Sequence, residues 1–258
     1  MRGVILAAGR GGRLRGIAGD RPKCLARVGD RTLLERQIRA LRAAGIAAIT
    51  VVTGCCADDV EAVCGAGIDA VRNPVFAETN SLYSLWLARE RLDEGFVVLN
   101  CDVLFDGQLL TDLLTARYED ALLVSAAGWA APFGDEEMKV VIRRGRVAAI
   151  AKTLDPALAD AENIGIAKFG PDGAAALVEE AGRIVATGRL KEWLPAAFAA
   201  FATRRPLYAV ESRGLPWIEI DFPEDYWRAC TEVLPAIEPP DAPRAAVAVG
   251  SRRTANHV

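Results

Sequence analysis

Three stretches of this 258-residue chain carry residue types that could act chemically on one ligand. At 4–15 an apolar run breaks into glycines and arginines, VILAAGRGGRLR, and Pro22-Lys23 follows a few residues later. Gly9, Gly11 and Gly12 let backbone approach a ligand closely and leave N–H groups free to meet anionic oxygens. Arg13 and Lys23 can add charge-assisted bonds to the same oxygens. The spacing is neither GxGxxG, which needs glycine where Leu14 stands, nor a Walker loop, which needs Gly-Lys-Ser/Thr. Taken alone, the stretch reads equally as a phosphate-holding loop or as a glycine-rich turn with solvated arginines. Asp102 follows the apolar run FVVLN, and Asp221 lies in WIEIDFPEDY. A carboxylate at either place could hold a metal ion; at Asp221 it could equally cap the helix that follows.

The elements that would position these residues alternate between β-rich and helical patterns, the signal for βα units and a largely parallel sheet. Strands are predicted at 2–7, 48–53, 68–72, 96–100 and 121–126. If 2–7 is central, residues 8–23 lie beyond its carboxyl end, where open α/β sheets bind ligands. Thr32 and Glu35 make a capping box ahead of Leu33, Leu34, Ile38 and Leu41. Asn80 or Ser81 caps a second helix and Asp106 precedes a third. MKVVIRRGRVAAIAK reads as a hairpin around Gly145, ENIGIAKF as a strand, 172–203 as Ala-rich helices, and Pro223 suits the first turn of a helix. The Pro- and Ala-rich segment 236–258 lacks large apolar anchors and reads as a mobile tail after a domain spanning 1–235.

At 52% apolar and 25% charged residues the chain can bury one substantial core, and a net charge of −3 gives no general nucleic-acid surface. No apolar run reaches membrane-spanning length and the N-terminus opens on a strand, so a cytoplasmic protein is expected. Six scattered cysteines without a CxxC pair, and a single histidine, His257, argue for reduced thiols and against a zinc site. Cys24 and Cys101, with no histidine partner, read as small buried side chains.

The string LAAGRGGRL at 6–14, with Pro22-Lys23 ahead of a helix, resembles the signature of the nucleotidyltransferases that make nucleoside-diphosphate sugars and alcohols, LAAGxGxRL…PK. The resemblance implies an α/β, single-domain, Rossmann-like nucleotidyltransferase fold with a mixed, mainly parallel central sheet flanked by helices. It further implies that Gly9, Gly11 and Gly12 embrace a triphosphate, that Arg13 meets its β and γ phosphates, and that Lys23 supports the reacting phosphate. Leu6, Ala7 and Ala8 would lie against the nucleoside. Asp102 and Asp221 would hold magnesium, which offsets the repulsion between an attacking phosphate and a triphosphate. Some relatives carry a further acid two residues before the first aspartate; here that position is Asn100, leaving a third carboxylate ligand in doubt.

NPVFAETNSLYSLWLA at 73–88 resembles the cytidylyltransferase branch, which acts on phosphocholine, phosphonates or inositol phosphate. By that resemblance CTP is the donor and Asn80 and Ser84 face the acceptor; Lys152 and Glu162 sit where the similar sugar nucleotidyltransferases keep acceptor contacts, and Lys139 is a further candidate to bind the acceptor's anion. Trp129, Phe133 and Tyr83, with Asp135, Glu136 and Glu137, could form an aromatic cage for a choline head group or could simply pack. The acceptor stays open among 2-aminoethylphosphonate, phosphocholine and a polyol phosphate. Without an embedded histidine, the attacking group is expected to be an already ionised phosphate or phosphonate oxygen. A UDP-, dTDP- or GDP-sugar pyrophosphorylase and a non-catalytic nucleotide-binding regulatory module are the rival readings. A homodimer is left open.

Overall fold

A computed structural model describes residues 1–14, 21–126 and 133–238. The strands, in chain order, are β1 (Arg2–Ala7), β2 (Arg27–Val28), β3 (Arg31–Thr32), β4 (Ile49–Thr53), β5 (Ile68–Arg72), β6 (Phe96–Asn100), β7 (Val103–Phe105), β8 (Ala121–Ala126), β9 (Lys139–Arg143), β10 (Arg146–Ala151), β11 (Ala161–Phe169), β12 (Tyr208–Glu211) and β13 (Trp217–Glu219). The five βα strands predicted from the sequence are β1, β4, β5, β6 and β8. Of the tail predicted at 236–258, residues 236 and 237 instead end the helix Leu234–Ile237, and those from 239 on lie outside the described residues.

Nine strands form one sheet in the order β5-β4-β1-β6-β11-β8-β12-β10-β9. β1 pairs in parallel with both β4 and β6, so it is central in its half of the sheet. β11 enters antiparallel between β6 and β8, and β10 runs antiparallel to both of its neighbours. The other seven strands point one way, which makes the sheet mixed and mainly parallel, as the resemblance implied. The β9–β10 hairpin turns through Arg144 and Gly145, both at positive φ, 54° and 75°. That backbone matches the twist of two right-handed strands joined by two residues, which is why a glycine stands there.

The pleat divides the core into two faces. Val4 and Leu6 of β1 join Val98 of β6 and the helices Ser81–Leu87, Pro171–Ala186 and Pro195–Ala202 on one side. Ile5 and Ala7 join Val97 and Leu99 on the other, against the helices Leu33–Ala43 and Gly107–Thr115. A third cluster of Leu14, Val28, Leu33, Leu104, Ile218 and Ile220 sits beyond the sheet edge. It ties the end of the glycine loop to a small separate ladder in which β7 pairs antiparallel with β13. Among the described residues no helix is long and apolar enough to cross a membrane, and all six cysteines are free thiols.

Thr32 and Glu35 form the capping box read from the sequence: the Glu35 N–H donates to the Thr32 hydroxyl oxygen at 3.2 Å and the Thr32 N–H donates to the Glu35 carboxylate at 2.7 Å. These bonds from Thr32, backbone first, hold the Glu35 carboxyl below the usual carboxylate range. The box therefore stabilises the fold fully above that range and loses its contribution as pH falls through the lowered value. Thr32→Ala is expected to cost about 1 kcal/mol in urea unfolding at pH 7, and the difference from wild type should shrink in the same titration at pH 3.

Candidate active site

At the carboxyl ends of β1 and β6 a cleft of about 330 Å³ opens. Its walls come from the glycine loop, the start of the helix Ser81–Leu87, the ends of β6, β11 and β13, and the segment around Trp193. Of the fifteen site residues assigned from the sequence, twelve line it: Leu6, Ala8, Gly9, Gly11, Gly12, Arg13, Lys23, Asn80, Ser84, Asp102, Lys152 and Asp221.

Local sequence explains how the loop meets its lysine. Gly11 has φ +63°, and a Cβ there would lie 2.6 Å from Lys23 Cγ and 2.7 Å from the Lys23 backbone nitrogen. Only glycine supplies both the left-handed backbone and the missing atom. Gly9 and Gly12 border open space, which leaves backbone rather than side chain at the cleft surface. The loop closes with the Leu14 N–H donating to Gly11 O at 3.1 Å, and buried Leu14 anchors it in the third apolar cluster.

Lys23 pairs with Asp221 and lies 3.6 Å from Asp102. Burial pulls its pKa down, but the charge of Asp102 and the bond to Asp221 outweigh burial and leave it above its ordinary value. The two aspartates, distant in sequence, meet because β13 pairs with β7 in the register Glu219↔Val103, and the Ile220 N–H donates to Asp102 O at 3.0 Å. The same pairing delivers a third acid. Oxygens of Asp102, Glu219 and Asp221 all lie within 4.8 Å of one another.

Glu219 is a residue that sequence reasoning missed, although its signal was present. In a strand, positions 219 and 221 of WIEID share a side, so an acid at each reaches one place. It supplies the carboxylate that Asn100 does not; Asn100 instead lines the cleft with its amide pressed near Gly165, where a Cβ would meet it at 2.7 Å. Glu219 is reached by water from the cleft yet enclosed by protein, and this desolvation, with Asp102 and Asp221 nearby, pushes its carboxyl up to about 8. Burial also raises Asp102, with Lys23 opposing and Asp221 adding to the shift. Asp102 Oδ1 is buried without a hydrogen-bond partner among the described residues. Three converging carboxylates, one with an unsatisfied oxygen, are the donor set of a hard divalent cation.

Cations continue along the cleft. The Arg13 guanidinium is 3.6 Å from Asp221, 3.5 Å from Glu136 and 5.0 Å from the ring centre of Phe222. Lys152 reaches Glu136 at 3.2 Å and lies 5.3 Å from the ring centre of Trp193. The Lys152 hydrogen bond and charge, with Arg13 adding, hold Glu136 below the usual carboxylate range. Phe76, Thr79, Met138, Asn163 and Trp193 also line the cleft and were not named as site residues from the sequence. Trp193 carried a faint signal: a large aromatic, half exposed, just ahead of the Pro195 helix start.

Three expected site residues lie elsewhere. Ala7 packs in the core under the sheet, because alternation along β1 sends Leu6 and Ala8 to the cleft and position 7 to the opposite face. Lys139 is fully buried and donates to Gly134 O at 2.6 Å and Glu137 O at 3.4 Å; its neighbour Met138 faces the cleft instead. Glu162 is likewise displaced by one position, with Asn163 in the cleft. Its carboxyl is pushed up to about 7 by burial and by Glu137. Of the suggested aromatic cage, Trp129 lies outside the described residues, Tyr83 packs against Trp86 at 5.8 Å between ring centres, and among its acids Glu136 alone lines the cleft. Asn80 caps its helix, with Oδ1 accepting from the Ser81 N–H at 2.8 Å, and lines the cleft at the same time. Cys24 is fully buried, and Cys101 is half-buried beside it with its thiol raised by a bond to Cys24 and by burial.

Known proteins are similar to the chain in sequence and in fold. The choline-phosphate cytidylyltransferase of Streptococcus pneumoniae is 31% identical over 138 residues, 53% of this chain and 60% of that protein. A bifunctional IPC transferase and DIPP synthase of Rubrobacter xylanophilus is 32% identical over 226 residues, 86% of this chain and 49% of that one. The chain thus spans about half the length of these curated relatives. Among solved structures, a CTP:phosphocholine cytidylyltransferase from Streptococcus pneumoniae matches with a TM-score of 0.73 at 24% identity, covering 89% of this chain and 97% of that one. Residues 3–168 match the MobA-like NTP transferase domain, and with the glycine loop, Arg13 and Lys23 inside that span the chain belongs to this nucleotidyltransferase family.

Proposed function

We propose that the chain transfers a cytidylyl group from CTP to an oxyanion of a small phosphorylated alcohol or phosphonate, releasing pyrophosphate, with magnesium held by Asp102, Asp221 and Glu219. The observation that carries the reading is the convergence, in one cleft, of the glycine loop, Arg13, Lys23 and three carboxylates. Binding a nucleotide alone needs the loop; it does not need carboxylates forced within 4.8 Å of one another.

The chain's own residues divide the work. Backbone N–H groups of the loop and Arg13 hold the triphosphate, and Lys23, fixed by Gly11 and kept charged by Asp102 and Asp221, stands where charge spreads over the reacting phosphate. A bound divalent cation supplies further neutralisation of phosphate charge. Lys152, which shares Glu136 with Arg13, meets the acceptor's phosphate or phosphonate in this reading. The acceptor oxygen attacks the α-phosphorus in line as an anion, so no side chain has to remove a proton, and no histidine lines the cleft among the described residues. The support for cytidine is the similarity to relatives named as cytidylyltransferases. The acceptor is drawn from phosphocholine, 2-aminoethylphosphonate and polyol phosphates.

Incubated with magnesium, each of the four common triphosphates and a panel of those acceptors, the protein is expected to release pyrophosphate with CTP and to form the CMP conjugate, read by mass. Preference for UTP, dTTP or GTP with a sugar phosphate would replace this reading with that of a sugar pyrophosphorylase. Lys23→Ala should lower turnover by roughly 10²–10³-fold with an unchanged circular dichroism spectrum, while manganese, titrated by electron paramagnetic resonance, still binds. Asp102→Asn should instead lose manganese affinity in that ligand-free titration along with turnover; retained affinity would remove Asp102 from the metal site.

A further inference from the structure

The wall of the cleft formed by Thr79, Asn80 and Ser84 has a hydrogen-bond polarity set from behind by Asn73, a residue that does not line the cleft. Asn73 follows β5, is 2% exposed, and its N–H donates to Thr53 O at 2.7 Å. Its side-chain amide is held in one orientation by simple accounting. The Val75 N–H can only donate, and it meets Asn73 Oδ1 at 3.1 Å. The Nδ2 end must therefore face the other way, toward Thr79 Oγ1 at 3.0 Å and Ser84 Oγ at 3.2 Å. An amide nitrogen only donates, so both hydroxyl oxygens accept from it.

The two hydroxyls are then left with opposite capacities. Thr79 also lies 3.0 Å from Val75 O, which can only accept, so its proton is spent there and one lone pair remains. Ser84 is 4% exposed, and no acceptor among the described residues takes its proton. Ser84 lines the cleft, so the unspent O–H has the cleft to point into, and burial makes an unmade bond there costly. The wall itself is fixed: the Asn80 N–H donates to Leu190 O at 3.0 Å and the Leu194 N–H donates to Ser81 Oγ at 2.8 Å.

We infer that Ser84 is a hydrogen-bond donor to the bound substrate and that Asn73 is the positioning residue that makes it one. The substrate atom it meets carries a lone pair, a carbonyl or phosphoryl oxygen or an aromatic ring nitrogen, and is not an ammonium or N–H group. The inference rests on the reading of the cleft as the transfer site.

Neutron diffraction from deuterated wild-type crystals tests it directly, with the Ser84 deuteron expected to point into the cleft. A deuteron aimed at Asn73 or at the Asn80 carbonyl overturns it. In steady-state kinetics, Ser84→Ala should lower kcat/KM for one of the two substrates by about tenfold. Asn73→Asp keeps the shape but turns the donor behind Ser84 into an acceptor, and should lower the same constant by at least as much. The double variant should lose less than the product of the two single losses, with Tm near that of Asn73→Asp alone. Losses that multiply, or that fall equally on both substrates, would assign Asn73 a purely structural role. A wild-type chain that turns over no triphosphate defeats the transfer reading by itself, and the neutron map still decides the polarity of Ser84.

Discussion

Three carboxylates held within 4.8 Å of one another are the constraint on which the rest of this structure depends. Ionised together they would repel, on the order of 3 kcal/mol for each pair at the effective dielectric of a protein, and desolvation and that repulsion push the Glu219 carboxyl up to about 8. The backbone overrules that repulsion. The three-residue ladder between β7 and β13 fixes the register, and buried Ile218 and Ile220, alternating with the two acids, seat the strand on Leu14, Val28, Leu33 and Leu104. Burying side chains of this kind is worth about 1.5–3 kcal/mol each, which offsets a substantial part of that repulsion. Lys23 offsets part of what remains.

The same apolar cluster couples the metal-type acids to the phosphate-type loop. Leu14 ends the glycine loop and Leu33 begins the helix that follows Lys23, so packing fixes the loop and the lysine relative to β13. Gly11 completes the coupling from the other side, since its missing Cβ is the space that Lys23 occupies. The glycines of the loop therefore differ in purpose. Gly11 is required by backbone conformation and by contact, whereas Gly9 and Gly12 border open space at the cleft.

Across the cleft, Glu136 stands between Arg13 and Lys152 and balances two cations that would otherwise repel. Behind the opposite wall, Asn73 spends both ends of its amide on fixing two hydroxyls. Both arrangements pre-set charge and hydrogen-bond direction before any ligand arrives, which is how a site lowers the reorganisation needed during reaction.

What the sequence by itself determined was whatever depends on near neighbours. Alternation fixed β1, β4, β5, β6 and β8; the Thr32 capping box, the Asn80 and Asp106 caps and the Arg144-Gly145 turn are contacts among residues a few positions apart. The glycine loop, Arg13, Lys23, Asp102 and Asp221 were legible through a motif whose spacing is itself local. Tertiary structure alone decided which side chains share the cleft. Glu219 joins the acids through a pairing between residues more than a hundred positions apart, and Trp193 arrives on a loop stapled to Asn80 and Ser81. Lys139 and Glu162 are turned away by one step of the pleat, and a shift of one residue in a strand reverses the face a side chain meets. Register is set by long-range packing, and a sequence pattern with period 2 names two faces without saying which one a ligand will see.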